Sequence, residues 1–123
     1  MRAFQVAEYG PPSSLRISEI EDLNPAPDQI LVGVRAAGIN FPDVLVIAGK
    51  YQVLPKRPFT PGKDLAGVVL RVGGAVSRFA PGDRVLCHVE HGAFAEQILV
   101  SAEQTFKLAD GLSFQHAAAM GLV

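Results

Sequence analysis

Hydrophobic and polar residues alternate with a period of two along much of the chain, which is the spacing that β-strands produce. The clearest example spans residues 30–36, where apolar side chains occupy both alternate sets of positions. This strand is therefore expected to be buried on both faces. Less regular or shorter stretches of the same kind predict further strands at residues 2–9, 15–20, 65–72, 84–86, 93–100 and 106–108.

Glycine and proline separate these predicted strands. The chain has twelve glycines and nine prolines, and they cluster in turns such as Gly73-Gly74 and Ala80-Pro81-Gly82-Asp83. Residues 50–62 contain three of the prolines and predict an irregular loop. Short strands that recur about every ten residues between such turns are typical of an antiparallel barrel or sandwich.

Two short segments have helical signals instead. Pro42 is suited to the first turn of a helix that runs to about Ala48, before Gly49. Ser113 is a good N-cap for a second helix, from residue 114 to residue 123. That segment ends on apolar residues with no capping signal, so the chain is expected to stop at the start of a longer helix. The predicted organisation is a domain at residues 1–112 and the beginning of a connecting helix at residues 113–123.

Composition excludes several classes of protein. The apolar fraction of 49% and the charged fraction of 19% favour a packed core over disorder. A net charge of −1 argues against a nucleic-acid binder, and no apolar run approaches the roughly 18 residues of a membrane span. The single cysteine, Cys87, excludes an intramolecular disulfide. These features lead us to expect a cytoplasmic protein without nucleic-acid or membrane partners.

Four segments, in this order, carry a family resemblance: AAGINFPDVLVIAGKY, PFTPGKDLAGVVLRVGGAVSRFAPGDRV, HGAFAEQILV and LADGLSFQHAAAMGLV. Together they resemble the N-terminal, GroES-like catalytic domain of the medium-chain dehydrogenase/reductase superfamily. Within it, the zinc-independent quinone oxidoreductases of the zeta-crystallin branch are the most similar. The resemblance implies a mainly β fold, a partly open antiparallel β-barrel with short helices. It also implies an additional Rossmann domain, NADPH in the cleft between the domains, and a homodimer formed mainly through the Rossmann domain.

The same resemblance implies a set of site residues. Asn40 matches an asparagine near the nicotinamide and is a candidate for cofactor or substrate contact; N-capping is a compatible second role. Tyr51 matches a tyrosine that lines the substrate cleft, although simple packing is an equal alternative. Asp43, Lys63 and Asp64 are the other candidate cofactor-binding residues. Lys63 departs from the small polar residue expected there, and three roles are open: it neutralises Asp64, attracts a cofactor phosphate, or extends its charge to solvent.

No zinc site is expected. In the zinc-dependent relatives, a cysteine ligand stands at the position of Asn40 and a histidine ligand at the position of Lys63. An amide is a poor zinc ligand, and an ammonium repels the cation. A second group of possible ligands lies on and after one strand, but strand alternation turns its neighbouring members to opposite faces. This group, which we expect not to bind metal, comprises Cys87, His88, Glu90 and His91.

The predicted function is hydride transfer from NADPH to a quinone or an α,β-unsaturated carbonyl, with the isolated chain expected to be inactive. An enoyl-thioester reductase is one alternative, although residues 45–47 are aliphatic where many such enzymes have a tyrosine. The second alternative, from a different class, is a non-catalytic binding or assembly module. GroES-like barrels also build co-chaperonin rings, but the open-ended final helix disagrees with that role.

Overall fold

The computed structural model describes residues 1–120, which contain seven strands and two α-helices. Two short 3₁₀ turns, at Pro12–Ser14 and Ala102–Gln104, complete the regular structure of this part of the chain. In chain order the elements are β1 (Arg2–Gln5), β2 (Arg16–Glu19), β3 (Gln29–Gly38), α1 (Phe41–Ile47), β4 (Asp64–Val72), β5 (Arg84–His88), β6 (Gln97–Ser101), β7 (Thr105–Lys107) and α2 (Phe114–Ala118).

The strands form two antiparallel sheets. β1 pairs with β2, and the larger sheet has five strands in the order β6-β3-β4-β5-β7. The edge strands β6 and β7 do not pair with each other, so the sheet stays open. The mainly β, partly open antiparallel architecture with short helices is therefore confirmed. No helix within the described residues is both long and apolar enough to cross a membrane.

The main core lies between the central strands of the larger sheet and the loops that cover it. β3 is buried on both faces, as the sequence predicted: Ile30 and Val32 are on one side and Leu31 is on the other, and all three are almost inaccessible to solvent. Removing this apolar surface from water is the dominant favourable contribution to folding. The central core consists of Ile30, Val32, Leu65, Val69, Phe79, Val85, Cys87, Val89, Ala93, Ile98 and Val100.

Two predicted strands were too long. The first ends at Gln5, after which Val6 forms only a single bridge to Phe59 before the chain turns. The strand predicted at residues 93–100 begins at Gln97 instead. The backbone N–H groups of Ala93 and Phe94 donate to carbonyls of the preceding loop, at distances of 3.2 and 3.0 Å, and take no place in the main ladder.

Both helices form where the sequence placed them. α1 begins one residue earlier than predicted, after Asn40 as N-cap, and Gly49 follows its end with a left-handed φ of +75°. Ser113 caps α2 as predicted, since its Oγ accepts a hydrogen bond from the N–H of His116 at 3.1 Å. α2 is regular only over Phe114–Ala118, so the predicted helix was too long: Ala119 and Met120 form a turn, and residues 121–123 lie outside the described residues.

α2 packs closely against the larger sheet at the end of β3. A Cβ atom added to Gly38 would lie 2.6 Å from the carbonyl oxygen of Ala118, which only glycine avoids. Gly38 lies opposite Asp64 in the β3–β4 pair, and Asp64 lies opposite His88 in the β4–β5 pair. The three residues form one row across the sheet, and this row positions the polar side chains described next.

Candidate functional site

Asp64, the first residue of β4, is the centre of a buried hydrogen-bond network. Its side chain is 1% exposed, yet both carboxylate oxygens have partners. Oδ1 lies 2.6 Å from Nδ1 of His88, and Oδ2 accepts a hydrogen bond from the side-chain nitrogen of Asn40 at 2.7 Å. His88 is half-exposed. The network therefore joins the start of α1 to β4 and β5 through one carboxylate.

The first turn of α1 binds the backbone of Asn40, in addition to the side-chain contact with Asp64. The backbone N–H of Asn40 donates to Oδ2 of Asp43 at 2.7 Å, and this bond is half of a capping box. Burial raises the pKa of Asp43, and the negative charge of Asp64 adds to the increase. The hydrogen bond from Asn40 and the positive charge of Lys63 oppose it. Asn40 is consequently fixed through both its backbone and its side chain.

Lys63 lies inside the protein, with only 7% of its surface exposed. Its ammonium donates to the carbonyl oxygen of Glu90 at 3.0 Å and lies 4.8 Å from the centroid of the Tyr51 ring. Of the three roles left open for Lys63, the extension of its charge to solvent does not agree with this burial. Among residues 1–120 its ammonium forms no ion pair with Asp64, and its positive charge opposes the rise in the pKa of Asp43. A role in binding a cofactor phosphate stays a prediction.

The structure thus brings all five sequence-predicted residues into one region. Asn40, Asp43, Lys63 and Asp64, together with His88, form what we call the polar cluster, and the ring of Tyr51 packs over Lys63. Tyr51 is half-buried against the small core that Val6, Val46, Ile47 and Phe59 form. The residues on either side of Asn40 are apolar and exposed: Ile39 is 79% exposed and Phe41 is 72% exposed. A polar group held rigidly between two exposed apolar side chains is a good contact for a partly apolar ligand.

The other group of possible ligands does not converge. Cys87 is fully buried, its Sγ lies 3.7 Å from Oγ1 of Thr105, and burial raises the pKa of its thiol to about 11. His88 turns to Asp64, whereas the ring of His91 packs edge-on against Phe59, 6.3 Å away. Among the described residues, no three side chains of His, Cys, Asp or Glu are arranged to hold a metal ion.

Sequence reasoning weighed His88 only as a metal ligand and missed its pairing with Asp64. Alternation correctly turned His88 away from Cys87, which is buried on the opposite face of β5. The pairing depends on the register between β4 and β5, and an eleven-residue irregular connection, residues 73–83, separates these strands. A connection of that length sets no register by itself, so the sequence carried no signal for this contact.

A surface groove lies elsewhere on the molecule. It has a volume of about 510 Å³ and lies between the N-terminal sheet and the loop at residues 55–60, with Gln5, Phe59 and His91 among its lining residues. None of the residues of the polar cluster lines it. The polar cluster is therefore a separate region at the end of β3 and the start of β4.

Comparisons with known proteins agree with this architecture. A family model described as "Alcohol dehydrogenase GroES-like domain" matches residues 26–110. The quinone oxidoreductase of Rattus norvegicus is 38% identical over 124 residues, which cover 99% of this chain and 38% of the relative. The synaptic vesicle membrane protein VAT-1 homolog of the same species is 42% identical over 96 residues, or 78% of this chain and 24% of the relative.

A solved structure with the same fold contains a cofactor. The quinone oxidoreductase of Escherichia coli, complexed with NADPH, superposes with a TM-score of 0.91 at 31% identity, over 98% of this chain and 37% of that one. The chain spans about 38% of the length of the curated quinone oxidoreductases that it matches. The chain therefore belongs to the medium-chain dehydrogenase/reductase superfamily, as an alcohol dehydrogenase GroES-like domain similar to those of quinone oxidoreductases.

Proposed function

We propose that this chain forms the substrate-side half of the active site of an NADPH-dependent, zinc-independent reductase of quinones and α,β-unsaturated carbonyls. The observation that carries the proposal is the fixed position of Asn40 between exposed apolar residues: Asp64 accepts from its side chain, and the Asp43 carboxylate accepts from its backbone N–H. The similarity to oxidoreductases supports the reaction class. The choice of NADPH rests on the Escherichia coli structure, which is similar to this chain and is complexed with that cofactor.

The residues present fit one face of a nicotinamide nucleotide. The side-chain oxygen of Asn40 takes part in the capping box of α1, where its partner is the backbone N–H of Asp43. An amide oxygen has two acceptor positions, so a hydroxyl or carboxamide can still donate to the other one. Ile39 and Phe41 offer exposed apolar surface beside it for a planar ring. Bound NADPH would supply the hydride, while the protein supplies orientation and electrostatics. We further propose that residues 1–112 form this domain, that residues 113–123 begin a helix to a nucleotide-binding domain, and that the complete protein forms a homodimer.

The chemistry of the donors does not fit a catalytic zinc. Zinc sites are built from thiolates, imidazoles and carboxylates with one position left open. At the two relevant positions this chain has Asn40, whose side-chain nitrogen already donates to Asp64, and Lys63, whose charge repels a cation. We therefore propose a reaction in which no metal polarises the substrate.

Tyr51 and Lys63 would orient the substrate and stabilise the negative charge that develops on it. The hydroxyl of Tyr51 is the group that would orient a substrate carbonyl, since the ring is held over the ammonium of Lys63. Lys63 brings a positive charge into a water-poor region, where its effect on developing negative charge is stronger than in solution. Residues 45–47 are Leu-Val-Ile, and Val46 and Ile47 are buried in the small core, so they offer no polar contact to a thioester.

A substrate panel tests the proposal. The complete protein that carries this chain, purified in the presence of a chelator, is mixed with NADPH and then with a quinone, an enone, an enoyl thioester or a simple aldehyde. We expect NADPH oxidation with the quinone and the enone, and no loss of rate after chelation. Turnover of the aldehyde that depends on added zinc would overturn the zinc-independent assignment. The absence of turnover with every acceptor would favour a binding or assembly role, and residues 1–123 alone should be inactive.

A further inference from the structure

We infer that His88 is a positioning residue that acts through Asp64 to fix the orientation of the Asn40 amide, whose oxygen offers its remaining acceptor position to the ligand. This inference deepens the proposed function and rests on it for the identity of the ligand. The geometry of the network of His88, Asp64 and Asn40 does not depend on the proposed function, because all three residues lie in the described part of the chain.

The direction of the Asn40 amide follows from the chemistry of its partner. An ionised carboxylate accepts hydrogen bonds and donates none. The atom of Asn40 that lies 2.7 Å from Oδ2 of Asp64 must therefore be the nitrogen, which donates. The oxygen of the same amide then points away from Asp64. Both side-chain N–H groups are on the nitrogen that donates to Asp64, so the other end of the amide presents only the oxygen.

His88 keeps Asp64 in this accepting role. It approaches the other carboxylate oxygen, Oδ1, with its Nδ1 at 2.6 Å. The imidazole donates through Nδ1 both as the neutral Nδ1–H tautomer and as the imidazolium. Asp64 is 1% exposed, so water cannot replace a lost donor easily. A carboxylate that loses one of its two hydrogen-bond partners is no longer fixed in orientation, so its bond to the Asn40 nitrogen would be misdirected.

The ligand contact is therefore specific in its direction. Asn40 offers an acceptor, so it selects a group that donates, such as a ribose hydroxyl or the carboxamide nitrogen of the cofactor. A substrate carbonyl, which only accepts, is not its partner. His88 contributes to cofactor affinity without a contact of its own with the reacting atoms.

Two substitutions of similar size separate hydrogen bonding from packing. In His88→Asn, the side-chain nitrogen can take the place of Nδ1, whereas in His88→Gln the longer side chain carries its donor beyond that place. His88→Leu removes the donor altogether, and His91→Leu is the control, because His91 packs only edge-on against Phe59. Thermal unfolding shows which variants fold; if His88→Leu does not, the Asn and Gln pair carries the test.

The measurements are made on the complete protein. Quenching of cofactor fluorescence gives the Kd of NADPH, and initial rates give kcat and the KM of the quinone. We expect His88→Leu and His88→Gln to raise the Kd about tenfold, equivalent to about 1.4 kcal/mol for one misdirected hydrogen bond. His88→Asn and His91→Leu should stay within about twofold of the natural protein, which is small against one hydrogen bond. The KM of the quinone should not change in any variant.

Three results would overturn the inference: unchanged Kd in a folded His88→Leu protein, equal losses in the Asn and Gln variants, or a higher quinone KM with unchanged Kd. The side-chain amide resonance of Asn40 supplies a readout that needs no cofactor. We expect its chemical shift and exchange rate to change in His88→Leu and to return in His88→Asn. If the natural protein binds no NADPH, the proposed function fails, and this resonance still decides whether His88 positions Asn40.

Discussion

His88 and Asp64 lie directly opposite each other on neighbouring antiparallel strands, and Nδ1 of the histidine approaches Oδ1 of the carboxylate to 2.6 Å. The pair connects a half-exposed ring to a carboxylate that is almost completely buried. Through the other carboxylate oxygen it reaches Asn40 at the start of α1. The register between β4 and β5 therefore brings His88 to Asp64. Through Asp64 it links His88 to Asn40, which is far away in the sequence.

Asn40→Asp should destabilise the protein strongly for so small a change. The substitution removes the donor to Asp64 and places two carboxylates in contact inside the protein. We expect a loss of about 2 kcal/mol or more in the free energy of unfolding at neutral pH. Stability should partly recover as the pH falls, because a shared proton restores a hydrogen bond between the carboxyl groups. Urea unfolding measures both effects; Asn24→Asp, at an exposed position, is the matched control and should change little.

Gly38→Ala should loosen the contact between α2 and the sheet. Its new Cβ would meet the backbone oxygen of Ala118 at 2.6 Å, and a backbone atom cannot rotate away as a flexible side chain can. We expect destabilisation of about 1–3 kcal/mol in urea unfolding. Gly74→Ala is the control, since no atom lies within 4 Å of its added Cβ. Equal behaviour of the two variants would contradict the close approach of α2.

Asp43→Asn should remove a pH dependence of stability. Burial raises the pKa of Asp43 above its ordinary value of 3.8. The folded state therefore binds this proton more tightly than the unfolded state does. This contribution to stability is present at low pH and is lost as the pH rises through the folded-state pKa. The asparagine oxygen still accepts from the backbone of Asn40. In urea unfolding from pH 4 upward, the difference in stability between variant and natural protein should therefore shift in favour of the variant. A constant difference across this range would be the contrary result.

Cys87 should be inert in the folded protein. Its thiol is completely buried, and the raised pKa of about 11 keeps it protonated at ordinary pH. We expect no alkylation of the peptide that contains Cys87 after an hour with iodoacetamide at pH 8, and complete alkylation in urea, as measured by mass spectrometry. Rapid labelling under native conditions would show that the central core opens.

The sequence predicted those elements whose causes are local. Pro42 and Gly49 bound α1, Ser113 caps α2, and the alternation at residues 30–36 belongs to a strand that is buried on both faces. Errors occurred where distant backbone groups compete for hydrogen bonds. The segment predicted as one strand from residue 93 divides, because Phe94 donates to the carbonyl of Pro61 instead of a ladder partner.

The candidate site was predictable only in part, for the same reason. The family resemblance supplied Asn40, Asp43, Tyr51, Lys63 and Asp64, and the structure brings these residues together. It could not supply His88, whose partner depends on the register across a long connection. Nor could it supply the position of Lys63, whose ammonium turns inward to the carbonyl of Glu90.

Quinone-dependent oxidation of NADPH by the complete protein and by its Asn40→Ala variant, measured side by side, tests the central claim most directly. We predict that the natural protein consumes NADPH only when a quinone is present. In the variant, kcat/KM for NADPH should fall at least about tenfold, the effect expected for one lost hydrogen bond at the cofactor. Equal rates in a folded variant, or no quinone-dependent oxidation by the natural protein, would contradict the account.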